Sequence, residues 1–305
     1  MRCMLVLCRT LGDVILANSL ARDIKEYYGN DTEIEYYCNR EYHELVRYNP
    51  DFSVINTSEN WLPEWEKVLE KVINEKYIKV MIPQQLQHED TIWHQMNYLR
   101  HQHLLNYYQL RCGLPVKKTP LIFYPDKQKT DGMPGNYFIV HCKSGNPDKD
   151  WRYFPEIIDR LRQNGYDIYQ IGGEGDNCIV DPQFDLTGKY SFSEIWHLIK
   201  GGKGFIGLDS GLSMLAQTTG VKCFILYGPT LPKTSGAYGD NVHAIVSPPC
   251  ETCRPIRCHA HCRSKPNCID RLTIDMVWKP INEYIICNEK VYNRAVGNRI
   301  PICST

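Results

Sequence analysis

The chain has 305 residues, 43% hydrophobic and 23% charged, with 35 Lys plus Arg set against 35 Asp plus Glu. That is the composition of a globular protein long enough for two ordinary domains. Zero formal charge removes the global basic field that announces a nucleic-acid partner, and no apolar run is long enough for a membrane span. Between Arg2 and Arg9 there are only six residues, too few for a signal-peptide core, which predicts a cytoplasmic protein.

Strand-like runs then alternate with helix-like stretches. Met4–Cys8 (MLVLC) reads as a buried strand leading into a helix from Asp13 to about Tyr28. There Ile15, Leu16, Leu20, Ile24 and Tyr28 recur near helical spacing, and Gly29 supplies the stop. Residues 33–38, 53–56 and 77–83 read as further strands. From His88 to Cys112 there is no Gly or Pro, which predicts one long helix or a broken pair; His94, His101 and His103 in it read as helix-surface residues with no role. The turn-rich GMPGN, Gly132–Asn136, marks a domain boundary. A second series follows: a strand at 137–142, a helix at 154–165, a strand at 167–173, a helix at 191–202, and strands at 204–210 and 223–228 around a short helix. The segment after Val277 is polar and aromatic, with no clear strand. The expected architecture is α/β, with two Rossmann-like domains facing across a cleft, residues 1–131 and 132–277, and a tail at 278–305.

Four strand ends carry chemistry. Ser144, Gly145 and Asn146 form a polar turn after a strand, and Lys149 just beyond can neutralise a diphosphate or simply sit in a solvated loop. In IGGEGD, Ile171–Asp176, glycines let a ligand reach the backbone, and Glu174 suits the two hydroxyls of a ribose, although most glycine pairs are only turns. Asp209, Ser210 and Gly211 stand where a strand becomes a helix. The helix start offers free amides to a phosphate, Asp209 can accept from sugar hydroxyls, and Asp or Ser there is also an ordinary N-cap. The first strand-to-helix turn differs, having one glycine, Gly12, and then a carboxylate, Asp13. A carboxylate repels phosphate. In a first helical turn it gains roughly 0.3–1 kcal/mol from the helix dipole. With the donor held by the second domain, it can also take a proton from an acceptor hydroxyl.

Fourteen cysteines are many for a cytoplasmic chain, and five crowd into CETCRPIRCHAHCRSKPNC, residues 250–268. Cys250 and Cys253 form a C-x-x-C knuckle, followed by Cys258, Cys262 and Cys268. Four thiolates make a tetrahedral structural site for zinc or iron, and disulfides are disfavoured in a reducing compartment. Of five candidates for four places, the expected set is Cys250, Cys253, Cys258 and Cys268.

The order of these features resembles glycosyltransferase family 9, the heptosyltransferases. The resemblance runs from residue 1 to about 277. It rests on Gly12-Asp13-Val14 before a helix, Asn49-Pro50, Lys149 with Trp151 and Pro155, Gly172-Gly173-Glu174, DLTGKYSFSEI, DSGLSMLA and YGPT at Tyr227–Thr230. It implies a GT-B fold and inverting transfer without a catalytic divalent metal. The implied donor is a nucleotide-diphospho-sugar, ADP-heptose above all, and the acceptor a hydroxyl of a glycan or protein. By position, Asp13 would be the general base and Lys149 would steady the leaving diphosphate. Ser144 would contact phosphate, Glu174 the ribose and Tyr190 the base. Asp209 would hold sugar hydroxyls, and the amides after Ser210, starting at Gly211, would face phosphate. The cysteine knuckle is similar to the iron-binding cysteines of the family's autotransporter heptosyltransferases. Two residues depart from the family pattern: Met214 where it usually has histidine, and Arg152 where it usually has proline. A nucleotide-sugar epimerase of the same architecture and a non-catalytic metal-knuckle binding module are the competing readings.

Overall fold

Two parallel sheets carry the fold in the computed structural model, which describes residues 1–59, 65–75, 77–83, 103–127, 133, 135–236, 238–248 and 267–295. The first sheet holds β1 (Arg2–Val6), β2 (Glu33–Asn39), β3 (Val54–Ser58) and β4 (Lys79–Met81) in the order β3-β2-β1-β4. Its helices are α1 (Leu11–Tyr28), α2 (Trp65–Asn74) and α3 (Leu104–Arg111). The continuous apolar run at the start of the chain is explained by burial on both sheet faces. Cys3, Leu5 and Leu7 join the core beneath α1, while Met4, Val6 and Cys8 meet Val68 of α2 on the other face.

The second sheet holds β5 (Tyr137–His141), β6 (Asp167–Gln170), β7 (Gly204–Leu208), β8 (Cys223–Tyr227) and β9 (Val242–Val246) in the order β6-β5-β7-β8-β9. With it go α4 (Phe154–Gln163), α5 (Phe192–Gly201), α6 (Gly211–Gln217), the short α7 (Pro232–Ser235) and α8 (Ile274–Ala295). One face packs against α4, whose Phe154, Ile157, Ile158 and Leu161 are buried at helical spacing, and against α8. The other face, through Tyr137, Ile139, Phe205 and Ile225, joins the core that holds α1, so one apolar cluster runs through both halves.

The strands and helices of both series fall where the apolar runs place them, within a few residues. Four elements were not anticipated: α2, the short α7, β9 and α8. The segment after Val277 is helical, and Val277, Ile281 and Ile285 close the second core as an i, i+4, i+8 stripe. Pro280 lies inside that helix, where proline ordinarily reads as a breaker. Of the helix expected over 88–112, the described part is α3. His94 and His101 lie outside the described residues. His103 is not a surface residue; it is buried and caps α3, its Nδ1 accepting from Leu105 N at 3.1 Å.

The two halves are stitched at a helix end. The Glu44 carboxylate, from the first half, accepts from Phe192 N (3.0 Å) and Ser193 N (2.8 Å) of α5. The same helix start carries a Ser191–Glu194 capping box. Helix-start amides that would otherwise face water are therefore satisfied partly from across the cleft. A second link is Thr119 N donating to the Tyr238 hydroxyl at 3.1 Å.

Candidate functional site

Open parallel sheets gather ligands outside the carboxyl ends of their strands, at the point where strand order reverses. In the second sheet that point lies between β5 and β7, and in the first between β1 and β4. Lys149 follows β5 on a single 3-10 turn, Pro147–Lys149, capped by Asn146, whose Oδ1 accepts from Asp148 N at 3.0 Å. Asp150 fixes the loop from the other side, accepting from Ser144 N at 2.9 Å and pairing with Lys143. The Ser144 hydroxyl accepts from Asn146 N at 3.2 Å. Trp151 anchors the loop to the body, its indole N–H donating to Leu272 O at 2.9 Å.

Lys149 Nζ reaches across to the end of β7, donating to Asp209 Oδ2 at 2.8 Å and to Asp209 O at 3.1 Å. Asp209 is 6% exposed, and its Oδ2 also accepts from Thr230 Oγ at 2.5 Å. An ammonium has three protons to donate. Two are placed on Asp209, so one remains for a ligand at the strand ends. Ser210 caps α6, its Oγ accepting from Ser213 N at 3.2 Å and lying 3.1 Å from His141 Nδ1.

His141, the last residue of β5, is buried. Burial pushes its imidazole down to about 4, against a smaller upward pull from Asp150, so it holds Ser210 as a neutral ring. Between its ordinary value of 6.5 and about 4, the unfolded chain binds a proton that the native chain refuses. Stability therefore falls as pH drops through that window, by up to about 3 kcal/mol for a complete shift. His103, also pushed down to about 4 by burial, adds a slope of the same sign. Melting temperatures measured from pH 7 to pH 4 should fall steeply for the parent and less steeply for His141→Gln. Parallel curves would remove His141 from the account.

The first-half turn meets this site directly. A side chain at Gly211 would place its Cβ 2.8 Å from Leu11 Cβ and 3.0 Å from Gly12 N, and one at Gly12 would meet Met214 Sδ at 2.7 Å. At Gly211 the neighbour is Leu11 Cβ and backbone, so only glycine allows this approach there, whereas at Gly12 the flexible Met214 side chain would have to shift. Met214 is buried, and its sulfur fills the contact between the two turns. One residue beyond Gly12, Asp13 is partly buried. Its Oδ2 accepts from Thr10 N (3.2 Å) and Thr10 Oγ (2.8 Å), and its Oδ1 accepts from the Tyr108 hydroxyl at 2.5 Å.

The structure thus brings Lys149, Asp209, Ser210 and Gly211 to one strand-end cluster, with Ser144 in the adjoining loop and the Asp13 turn against it. Glu174 and Tyr190 stand apart, on loops beyond β6, two strand spacings from β7, or roughly 10 Å. Glu174 is exposed, and Tyr190 is partly buried against the shared core. Three participants were missed from the sequence: His141, Thr230 and Tyr108. Thr230 had a signal, since it ends YGPT. His141 and Tyr108 had none. Of the expected metal ligands, only Cys268 is among the described residues, buried beside Ile269 of the second core; Cys250, Cys253 and Cys258 lie outside them. Among the described residues no group of three or more His, Cys, Asp or Glu is placed to hold a metal ion. None of their helices is long and apolar enough to cross a membrane.

Two Rossmann-like sheets meeting at their switch points define a GT-B protein. Residues 123–263 match the family model for glycosyltransferase family 9 (heptosyltransferase), so the likeness read from the sequence holds. Lipopolysaccharide heptosyltransferase 1 of Pseudomonas aeruginosa is 26% identical over 149 residues, 43% of this chain and 40% of that protein. The matched segment therefore spans less than half of that curated relative. Two solved structures share the fold. A glycosyl transferase family 9 protein from Veillonella parvula superposes with a TM-score of 0.70 at 17% identity, covering 93% of this chain and 97% of that one. The iron-containing dodecameric glycosyltransferase TibC of enterotoxigenic E. coli does so with a TM-score of 0.70 at 20% identity, covering 93% and 78%. TibC has also been solved in complex with ADP-D-β-D-heptose.

Proposed function

We propose that this chain is an inverting glycosyltransferase of the heptosyltransferase type. It would move a sugar, with ADP-heptose as the first candidate donor, to a hydroxyl of a glycan or protein. The observation that carries the reading is the contact between the two switch-point turns. It brings the turn that carries the Asp13 carboxylate against the turn that follows the Lys149–Asp209 ion pair. In this reading the acceptor oxygen attacks the anomeric carbon from the Asp13 side, and its proton passes to the Asp13 carboxylate. The bond from the anomeric carbon to the diphosphate breaks on the opposite face. The departing charge meets the remaining Lys149 proton and the α6 amides after Ser210, so no divalent metal is required. Ser144 would contact phosphate, Glu174 the ribose and Tyr190 the base, while Asp209 would take sugar hydroxyls. Residues 1–131 would form the acceptor side, residues 132–277 the donor side, and 278–305 the tail.

The test is nucleotide release from a panel of ADP-heptose, GDP-mannose and UDP-glucose in the presence of EDTA. ADP should appear from ADP-heptose above an enzyme-free control. No nucleoside diphosphate from any donor would end the reading.

The cluster Cys250, Cys253, Cys258 and Cys268 would hold one structural zinc or iron outside the reaction centre. The thiolate donor set supports this, as does the iron in TibC. Such ligands stay reduced in the cytoplasm, the location this reading favours. Metal analysis of protein purified without chelator should find about one equivalent of zinc or iron, and Cys253→Ser should lose it and melt earlier. Metal-free protein that melts like its Cys253→Ser variant would remove the site.

A further inference from the structure

We propose that Tyr108 is a positioning residue for the reaction, acting through its hydroxyl bond to Asp13. The proposal rests on Asp13 being the base. The two bonds from Thr10 to Asp13 are local, and a first-turn Asp makes such bonds in many capped helices. The third bond is of a different kind. Tyr108 stands on α3, 95 positions away in sequence, and donates to Asp13 Oδ1 at 2.5 Å. Its ring is buried in the shared core, where phenylalanine would fill the same space with no polar group to satisfy. The hydroxyl is therefore not needed for packing, and Thr10 already supplies the cap.

What the hydroxyl adds is direction. An ionised carboxylate presents about four in-plane lone-pair sites. Thr10 takes two on Oδ2 and Tyr108 takes one on Oδ1, which leaves a single site for an incoming hydroxyl. The carboxylate cannot rotate without breaking at least one of these bonds, so the accepting lone pair is fixed before the substrate arrives. Among the described residues, Arg9, Tyr36 and Tyr42 also act electrostatically on this group of side chains. Tyr108 is the member from α3 with a hydrogen bond to Asp13 itself. Burial and the Asp13 charge push the Tyr108 hydroxyl well above its usual range, so it remains a proton donor at every working pH.

The test is a double-mutant cycle read as ADP release from ADP-heptose, with water as acceptor. Tyr108→Phe should lower kcat about ten-fold, as for one lost charge-assisted hydrogen bond. KM for ADP-heptose and cooperative melting should be retained. In an Asp13→Asn background the same substitution should cost nothing more, because both changes remove one unit. Rate losses that multiply across the two backgrounds, or a Tyr108→Phe variant with parental kcat, would overturn the role of Tyr108 and leave the base standing. An Asp13→Asn protein with parental turnover, or a parent that releases no ADP, would overturn the base reading and this proposal together.

Discussion

Asp13→Asn should slow ADP release from ADP-heptose by about 10²–10⁴, the usual worth of a general base, with ADP affinity unchanged. The fold should survive, because asparagine can keep the bonding pattern. Its carbonyl oxygen replaces Oδ2 as acceptor from Thr10, and its amide can donate to the Tyr108 oxygen, whose hydroxyl turns to accept. Only the capacity to take a proton is lost. Rate and calorimetric affinity for ADP, measured on the same preparations, separate the two effects. Parental turnover with intact ADP binding would remove Asp13 from the chemistry.

Lys149→Ala should act on both stability and binding. Asp209 is nearly fully buried, and its main cationic partner is Lys149 at 2.8 Å. Removing one partner of such a pair leaves a charge that, among the described residues, Thr230 must satisfy, a loss on the order of 3–5 kcal/mol. The melting temperature should fall by several degrees, and ADP should bind at least about ten-fold more weakly as the diphosphate loses its cation. A second variant, Lys149→Ala with Asp209→Asn, separates the two losses. Neutralising the carboxylate should restore much of the stability and none of the ADP affinity. If ADP binds Lys149→Ala as it binds the parent, the diphosphate lies elsewhere.

The strands were legible because parallel strands buried on both faces leave unbroken apolar runs, as in Met4–Cys8 and Tyr137–His141. The turn residues between them mark the crossovers. Asp13, Ser144, Lys149, Glu174 and Asp209 could be placed after their own strands for the same reason, whereas Tyr190 rested on the family resemblance alone. What the sequence could not carry was the pairing. Lys149 and Asp209 are 60 positions apart and Asp13 and Tyr108 are 95 apart, and only tertiary packing joins them. His103 looked like one polar residue among several on a helix surface, yet it caps α3 from inside the core. The helix from Ile274 was hidden by its composition. Three apolar residues four apart lie among charged and aromatic neighbours, with a proline in the second turn, and only their shared burial identifies the face.

The bond from Trp151 to Leu272 and the stripe of Val277, Ile281 and Ile285 set an order of manufacture. Every described strand of the first sheet has been synthesised by residue 81, and α3 by residue 111. The loop that carries Lys149 is not anchored until Leu272 exists, and the second core is not sealed until Ile285 has left the ribosome. At about 5–20 residues per second the gap between the two halves is roughly ten to thirty-five seconds. Until Gln217 has been made, the half bearing Asp13 waits on the nascent chain with the face of α1 that will meet α6 uncovered. The Lys149 side of the cleft therefore gains its anchor and its sealed core last, after every element that carries the Asp13 side.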